Sequence, residues 1–119
     1  MKSQNLHTGK IAENLALQFL LTSNFELLAQ NFRTKFGEID LIMRAGPTIV
    51  FVEVKSKIGL KLGPPEDMFT RGKYTKVKRM ATVFLNGKEV DCRIDLVAIV
   101  LNPDLSPQSI HHYPNIYYL

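Results

Sequence analysis

The chain has 119 residues, 45% hydrophobic and 22% charged, which argues for one globular domain and excludes extended disorder. One cysteine, Cys92, excludes a disulfide framework or a cysteine-rich zinc site and suits a reducing compartment. Fifteen Lys and Arg against 11 Asp and Glu leave a net charge of +4, a mild preference for an anionic partner.

Taken in chain order, Thr8 reads as the N-cap of a first helix. In it Ile11, Ala12, Leu15, Ala16, Phe19 and Leu20 share one face, and Asn24 marks its end. The stretch Leu15–Leu21 is broken by Gln18 and too short to cross a bilayer, so a cytoplasmic protein with no membrane partner is expected. Residues 25–34, 38–44 and 48–55 read as three strands, the last two joined through Ala45-Gly46-Pro47-Thr48 as an antiparallel hairpin. Residues 56–70, with Gly59, Gly63, Pro64 and Pro65, read as the long loop.

A second helix over 72–86 places Val77, Met80, Ala81, Phe84 and Leu85 on one face and stops at Gly87. Residues 94–101 are apolar without alternation, as in a strand covered on both faces. Beyond Pro103 the chain is rich in turns, and residues 110–112 and 116–119 read as short edge pieces. His111 and His112 are expected to be solvent-exposed rather than metal ligands. The expected architecture is α/β in the order αβββαβ, a mixed central sheet flanked by helices. It forms one domain over 1–119, with a core over residues 5–102 and a tail over 103–119.

Charge is unevenly placed. Lys55, Lys57, Lys61, Arg71, Lys73, Lys76, Lys78 and Arg79 outweigh Glu66 and Asp67, so 55–79 carries +6 and the rest of the chain −2. Just upstream lie Glu38, Asp40 and Glu53. Strand alternation puts Glu38, Asp40 and Ile42 on one face, and Phe51, Glu53 and Lys55 on one face of the next strand. A two-residue turn at Gly46-Pro47 sets Asp40 directly across from Glu53. Facing carboxylates destabilise a sheet unless a cation compensates. Two readings stay open: a salt-bridge cluster with Lys55, or a divalent metal, for which hard carboxylate oxygens suit Mg²⁺. Glu13, on the helix row of Leu17 and Leu20, and Lys73, on the row of Val77 and Met80, reach toward the sheet or snorkel to solvent.

Gly9-Lys10-Ile11-Ala12-Glu13, Asn31-Phe32-Arg33, Gly37-Glu38-Ile39-Asp40-Leu41-Ile42, Phe51-Val52-Glu53-Val54-Lys55, Gly63-x-Pro65, the Lys73 helix and Arg93-Ile94-Asp95 together resemble the YraN-like family of uncharacterised bacterial proteins. That resemblance reaches from the first helix to about Leu101. It implies a restriction-endonuclease-like fold of the PD-(D/E)XK nuclease superfamily, similar to Holliday-junction resolvases. It further implies Asp40, Glu53 and Glu13 as ligands of Mg²⁺, with Mn²⁺ as substitute, and Lys55 beside them as the catalytic lysine. Glu38 matches an accessory position, Arg33 and Lys73 match basic positions suited to phosphate, and the basic loop and second helix add Lys57 and Lys76 as expected nucleic-acid contacts. Two departures, Lys57 for a common arginine and Ile94 for a common phenylalanine, bear on substrate contacts rather than on the metal triad.

The expected function is a Mg²⁺-dependent nuclease that hydrolyses DNA phosphodiesters, structure-selective or non-specific, on branched or single-stranded DNA, with a homodimer by analogy. The alternative is a catalytically silent nucleic-acid-binding or scaffolding protein on the same fold. A fold by itself does not decide between them.

Overall fold

A computed structural model describes residues 2–118 of the chain, with side chains from residue 7 onward. Helix α1 spans Lys2–Thr22, followed by strands β1 (Glu26–Thr34), β2 (Gly37–Ala45) and β3 (Thr48–Ile58). A short 3-10 turn at Pro65–Met68 leads to helix α2 (Arg71–Leu85), then β4 (Cys92–Leu101) and β5 (Pro107–Tyr113). The five strands form one sheet in the order β1-β2-β3-β4-β5. All neighbours are antiparallel except β3 and β4, which run parallel across the α2 crossover. This is the mixed α/β sheet expected from the αβββαβ order, with β5 added at the edge.

Each helix covers one face. Ala12, Ala16, Leu17 and Leu20 of α1 pack on Leu41, Met43, Val50, Val52, Val97 and Ile99. On the other face Val77, Met80 and Ala81 of α2 meet Ile39, Ile42, Phe51, Ile94 and Leu96. Residues of β4 are therefore buried on both sides, which is why its sequence does not alternate. Helix α1 is closed off two residues past its end by Asn24, whose left-handed backbone (φ 66°) lets the Phe25 N–H reach the Leu20 carbonyl at 3.1 Å. Helix α2 starts at Thr70, whose hydroxyl accepts from the Lys73 N–H.

Several expectations need correction. Thr8 is inside α1 rather than at its cap, because residues 2–8 contain neither proline nor glycine to stop the helix. The loop expected over 56–70 is shorter at both ends. Strand β3 runs on to Ile58 because β4 pairs with it as far as Ile58–Leu101, and Pro65–Met68 is helical. Helix α2 ends one residue before Asn86, which itself takes the left-handed conformation (φ 49°) ahead of Gly87. The edge piece at 110–112 is the middle of β5, whereas Ile116 to Tyr118 is not a strand, and Leu119 lies outside the described residues. There the Ile116 N–H donates to the Ile94 carbonyl at 2.7 Å, tying the tail to the start of β4.

His112 is not solvent-exposed: its Nε2 lies 2.7 Å from Asp95 Oδ2, and its ring packs edge-on to Phe25. His111, by contrast, is exposed.

The hairpin turn is as expected, with Ala45 opposite Thr48 and Gly46 at φ 59°. Its register carries on to Leu41 opposite Val52, and there the ladder stops. At the next position the Asp40 carboxylate accepts the Val54 N–H at 2.8 Å, so a side chain replaces a strand carbonyl. Beyond this point β2 and β3 no longer pair along the backbone, while β3 stays fixed to β4. Regular alternation also fails here, since Ile39 and Ile42 both enter the α2 layer. Glu38, Asp40 and Ile42 therefore do not form the single row expected for an ideal strand.

Candidate active site

The parting of β2 from β3 creates the place where the charged residues of the motifs gather. Glu53, on β3, is 7% exposed and faces the α2 side with Lys55. Lys55 Nζ is 3.6 Å from Glu53 Oε2. Glu53 Oε1 is buried and finds no hydrogen-bond partner among the described residues. Lys55 thus pairs with one oxygen of Glu53 and leaves the other open. An unpaired buried carboxylate oxygen carries a cost of a few kcal/mol, which an incoming cation can offset.

On the other side of the split, Glu13, Glu38 and Asp40 each bring one carboxylate oxygen within 4.8 Å of the others. Asn31 holds two of them together: its side-chain amide donates to Glu13 at 2.7 Å and to Glu38 at 2.6 Å. To do so Asn31 takes a left-handed backbone conformation (φ 51°) inside β1, opposite the place where β2 loses its alternation. Asparagine tolerates that geometry better than most residues. Sequence pattern places Asn31 in a motif without giving it a role. The signal available there is an asparagine in the middle of a strand otherwise rich in Leu, Ala and Phe.

Of the expected ligands Glu13, Asp40 and Glu53, the structure brings Glu13 and Asp40 into one carboxylate group, and Glu53 is not a member of it. Glu13 and Asp40 cluster with Glu38, and Glu53 approaches Asp40 from the β3 side. Burial, then the negative charge of Glu53 and of Glu13, push the Asp40 carboxyl up to about 8 against an opposing pull from the Val54 N–H. Burial likewise raises Glu53, with the Lys55 ammonium pulling the other way. Carboxylates that resist ionisation in this way are those that a divalent ion would render anionic.

Lys73 and Lys76 of α2 join Glu53, Lys55 and Glu38 around a cleft of about 210 Å³ floored by Val77 and Met80. Partial burial and the neighbouring Lys55 ammonium lower the Lys73 pKa. The other two basic candidates lie apart from this cleft. Arg33 is held by Glu38 at 3.2 Å with its side chain largely exposed. Lys57 donates to the Leu62 carbonyl at 2.8 Å and lines a separate cavity of about 520 Å³ with Thr8 and Lys61. No described helix is long and apolar enough to cross a membrane.

The donor set fits a hard divalent cation: carboxylate oxygens from α1, β2 and β3, one of them buried without a partner, with no Cys or His in the carboxylate group among the described residues. These features define a mixed α/β domain with an acidic, lysine-flanked cleft where two central strands part. A family model described as "Uncharacterised protein family UPF0102" matches residues 12–99, which hold Glu13, Asn31, Asp40, Glu53, Lys55 and Lys73. Relatives each named "UPF0102 protein" extend the match. That of Syntrophus aciditrophicus is 41% identical over 105 residues, covering 86% of this chain and 83% of its own. Those of Dictyoglomus turgidum (31% over 116 residues; 95% and 98%) and Caldanaerobacter subterraneus (34% over 122 residues; 98% and 100%) span nearly both full lengths. The chain belongs to the UPF0102 family, the YraN-like family that its motifs resemble.

Proposed function

We propose that this protein is a divalent-metal-dependent nuclease acting on DNA, with Asp40, Glu53 and Lys55 as catalytic residues and Mg²⁺, or Mn²⁺ in its place, as cofactor. The observation that carries the reading is the buried Glu53 oxygen left without a partner, beside Asp40 and within reach of one lysine. The order of strands and the two motifs on the split hairpin support a place in the PD-(D/E)XK superfamily.

Asp40, Glu53 and Glu13 would hold the ion, and Asn31, which donates to both Glu13 and Glu38, would keep Glu13 oriented. Bound there, the cation supplies charge neutralisation for a phosphodiester and acidity for a water. Lys55, 19% exposed at its side chain and already beside Glu53, presents an ammonium to the anionic oxygen of the phosphate where charge develops. Lys73 and Lys76 at the mouth of the cleft give the backbone of the nucleic acid a second set of contacts, independent of base sequence.

The test is incubation of the purified protein with branched, flapped, single-stranded and linear duplex DNA in Mg²⁺, Mn²⁺ or EDTA, beside Glu53→Gln and Lys55→Ala. Metal-dependent cleavage that falls at least ~100-fold in both variants is expected, the scale of losing a group that stabilises transition-state charge. In parallel, Mg²⁺ should raise the melting temperature of the wild type and leave Glu53→Gln unmoved. Cleavage that persists in EDTA or in both variants overturns the assignment. DNA binding without turnover in any metal points instead to a silent scaffold.

A further inference from the structure

Helix α2 carries Arg71, Lys73, Lys76, Lys78 and Arg79 and no acidic residue. Only Lys73 and Lys76 serve the cleft described above. Arg71 and Lys78, seven residues apart, lie on a common row of the opposite, solvent-facing side, with Arg79 between that row and Lys76. The cations therefore form a belt around the exposed half of the helix, starting at the cleft mouth.

The far end of the belt is a groove of about 450 Å³ whose lining includes Arg71, Tyr74, Lys78, Arg79 and Tyr118, with no Asp or Glu side chain among the described residues that line it. Its wall is the C-terminal tail. Tyr118 donates its hydroxyl to the Phe69 carbonyl at 2.7 Å, and its ring sits 5.4 Å from that of Tyr74 at 58°. The Lys78 ammonium lies 5.6 Å from the Tyr74 ring centre. Tyr118 is still 38% exposed, although Tyr74 and Phe69 (the latter's ring centre 6.3 Å away) both lie beside its ring, so part of it remains accessible to another flat group. The tail is held in this position by Asp95, which accepts from His112 and from the Asn115 N–H, and by the hydroxyl of Tyr113 on Glu66.

We propose that this groove binds a single-stranded segment of nucleic acid, Arg71 and Lys78 contacting phosphates and Tyr118 stacking on a base. Cations alternating with an open aromatic ring match a strand whose bases are unpaired. A duplex keeps its base faces covered and cannot offer one to a ring set in a groove between helix and tail. The inference rests on the nucleic-acid reading of the cleft and deepens it: the belt would lead an unpaired branch away from the metal site across α2.

Binding is measured by fluorescence anisotropy in EDTA, so that the result does not depend on cleavage. The probes are an oligothymidylate of about 15 nucleotides, a blunt duplex, and the same duplex carrying a thymidylate overhang. Expected for Arg71→Gln/Lys78→Gln is an approximately tenfold loss of affinity for the oligothymidylate and the overhang, with the salt slope reduced by about 1.4, near 0.7 for each lost phosphate contact. Tyr118→Ala should lose about fivefold and Tyr118→Phe should bind as wild type, since stacking needs the ring and not the hydroxyl. Arg44→Gln/Lys88→Gln, on exposed positions elsewhere, serves as the charge control and should change binding less than about twofold.

Groove variants that bind the oligothymidylate as wild type does overturn the proposal. So does a wild type that ignores it and binds only blunt duplex, an acidic peptide or phosphatidylglycerol vesicles. If no metal supports cleavage while the groove variants still lose affinity, the nuclease reading falls and the groove stands. If the protein cleaves in Mg²⁺ while the groove variants keep full affinity, the nuclease reading stands and the groove falls.

Discussion

Asp95 and Glu53 are buried carboxylates on adjacent strands, one register position apart, since Val52 pairs with Asp95 in the β3–β4 ladder. Their surroundings are opposite. Asp95, 0% exposed, accepts two bonds from Arg93, one from His112 and one from the Asn115 N–H. Although burial opposes it, these donors hold its carboxyl below the usual carboxylate range. Glu53 has one lysine at 3.6 Å, an oxygen without a partner, and a pKa raised by burial. The contrast separates two uses of a buried charge. At Asp95 the protein supplies four hydrogen bonds and gains an anchor for its tail; at Asp40 and Glu53 the donors are few, the Val54 N–H for one and the Lys55 ammonium for the other, and burial leaves both carboxyls raised.

The largest expected effect comes from breaking the satisfied member. Asp95→Ala leaves the Arg93 guanidinium, His112 and the Asn115 N–H without their acceptor and should cost about 3–5 kcal/mol. In a domain of this size that is a fall of more than ~10 °C in melting temperature. A loss under ~3 °C would show that the anchor is dispensable. Because the folded-state pKa is depressed, this stabilisation is present at neutral pH and is lost as the pH falls below the ordinary value of 3.8 toward the folded pKa.

Asp40, whose carboxyl burial and Glu53 push up, should respond the other way. With Asp40 raised from 3.8 to about 8, the folded state keeps a proton that the unfolded chain has released, so stability declines as pH rises through that window. Asp40→Asn stays neutral and retains an acceptor for the Val54 N–H. In EDTA its advantage over wild type should be absent near pH 4 and reach ~1–2 kcal/mol at pH 8, read from urea denaturation at several pH values. A uniform loss of stability would contradict the idea that Asp40 is held against its own charge.

The smallest effect falls on the bracket between the two halves of the site. Asn31→Gly keeps the left-handed backbone but removes the amide that joins Glu13 to Glu38. It should cost stability only ~1 kcal/mol while weakening Mg²⁺, titrated by its thermal shift, some 10- to 100-fold. An unchanged Mg²⁺ response would remove Asn31 from the site. Asn31→Ala should be less stable than Asn31→Gly by ~1 kcal/mol, reporting the backbone conformation alone.

Much of this was legible in the residues. The two-residue turn at Gly46-Pro47 set the hairpin register, and the side-chain period of a helix placed Glu13 and Lys73 on the margins that reach the sheet. Strand alternation, however, presumes an unbroken ladder, and it failed at Asp40, where a side chain takes over from the backbone. That failure is what lets Glu38 join Glu13 and Asp40. His112 looked exposed because an edge strand ordinarily leaves half its side chains in water. Only folding shows that Asp95, from the middle of an apolar strand, requires a partner there.

The basic run 55–79 shows the same division. Its +6 was plain from the sequence, but the chain distributes it over three places: the cleft, the cavity beside Thr8, and the far side of α2. Local pattern by itself determined the elements, the hairpin register and the kinds of residue available for chemistry, because these follow from turn geometry and from periods of 2 and 3.6 along the chain. Tertiary structure alone decided which carboxylate is satisfied and which is left open. That depends on donors such as His112 of β5 and the Asn115 N–H of the tail, whose approach is governed by packing across the sheet rather than by distance along the sequence.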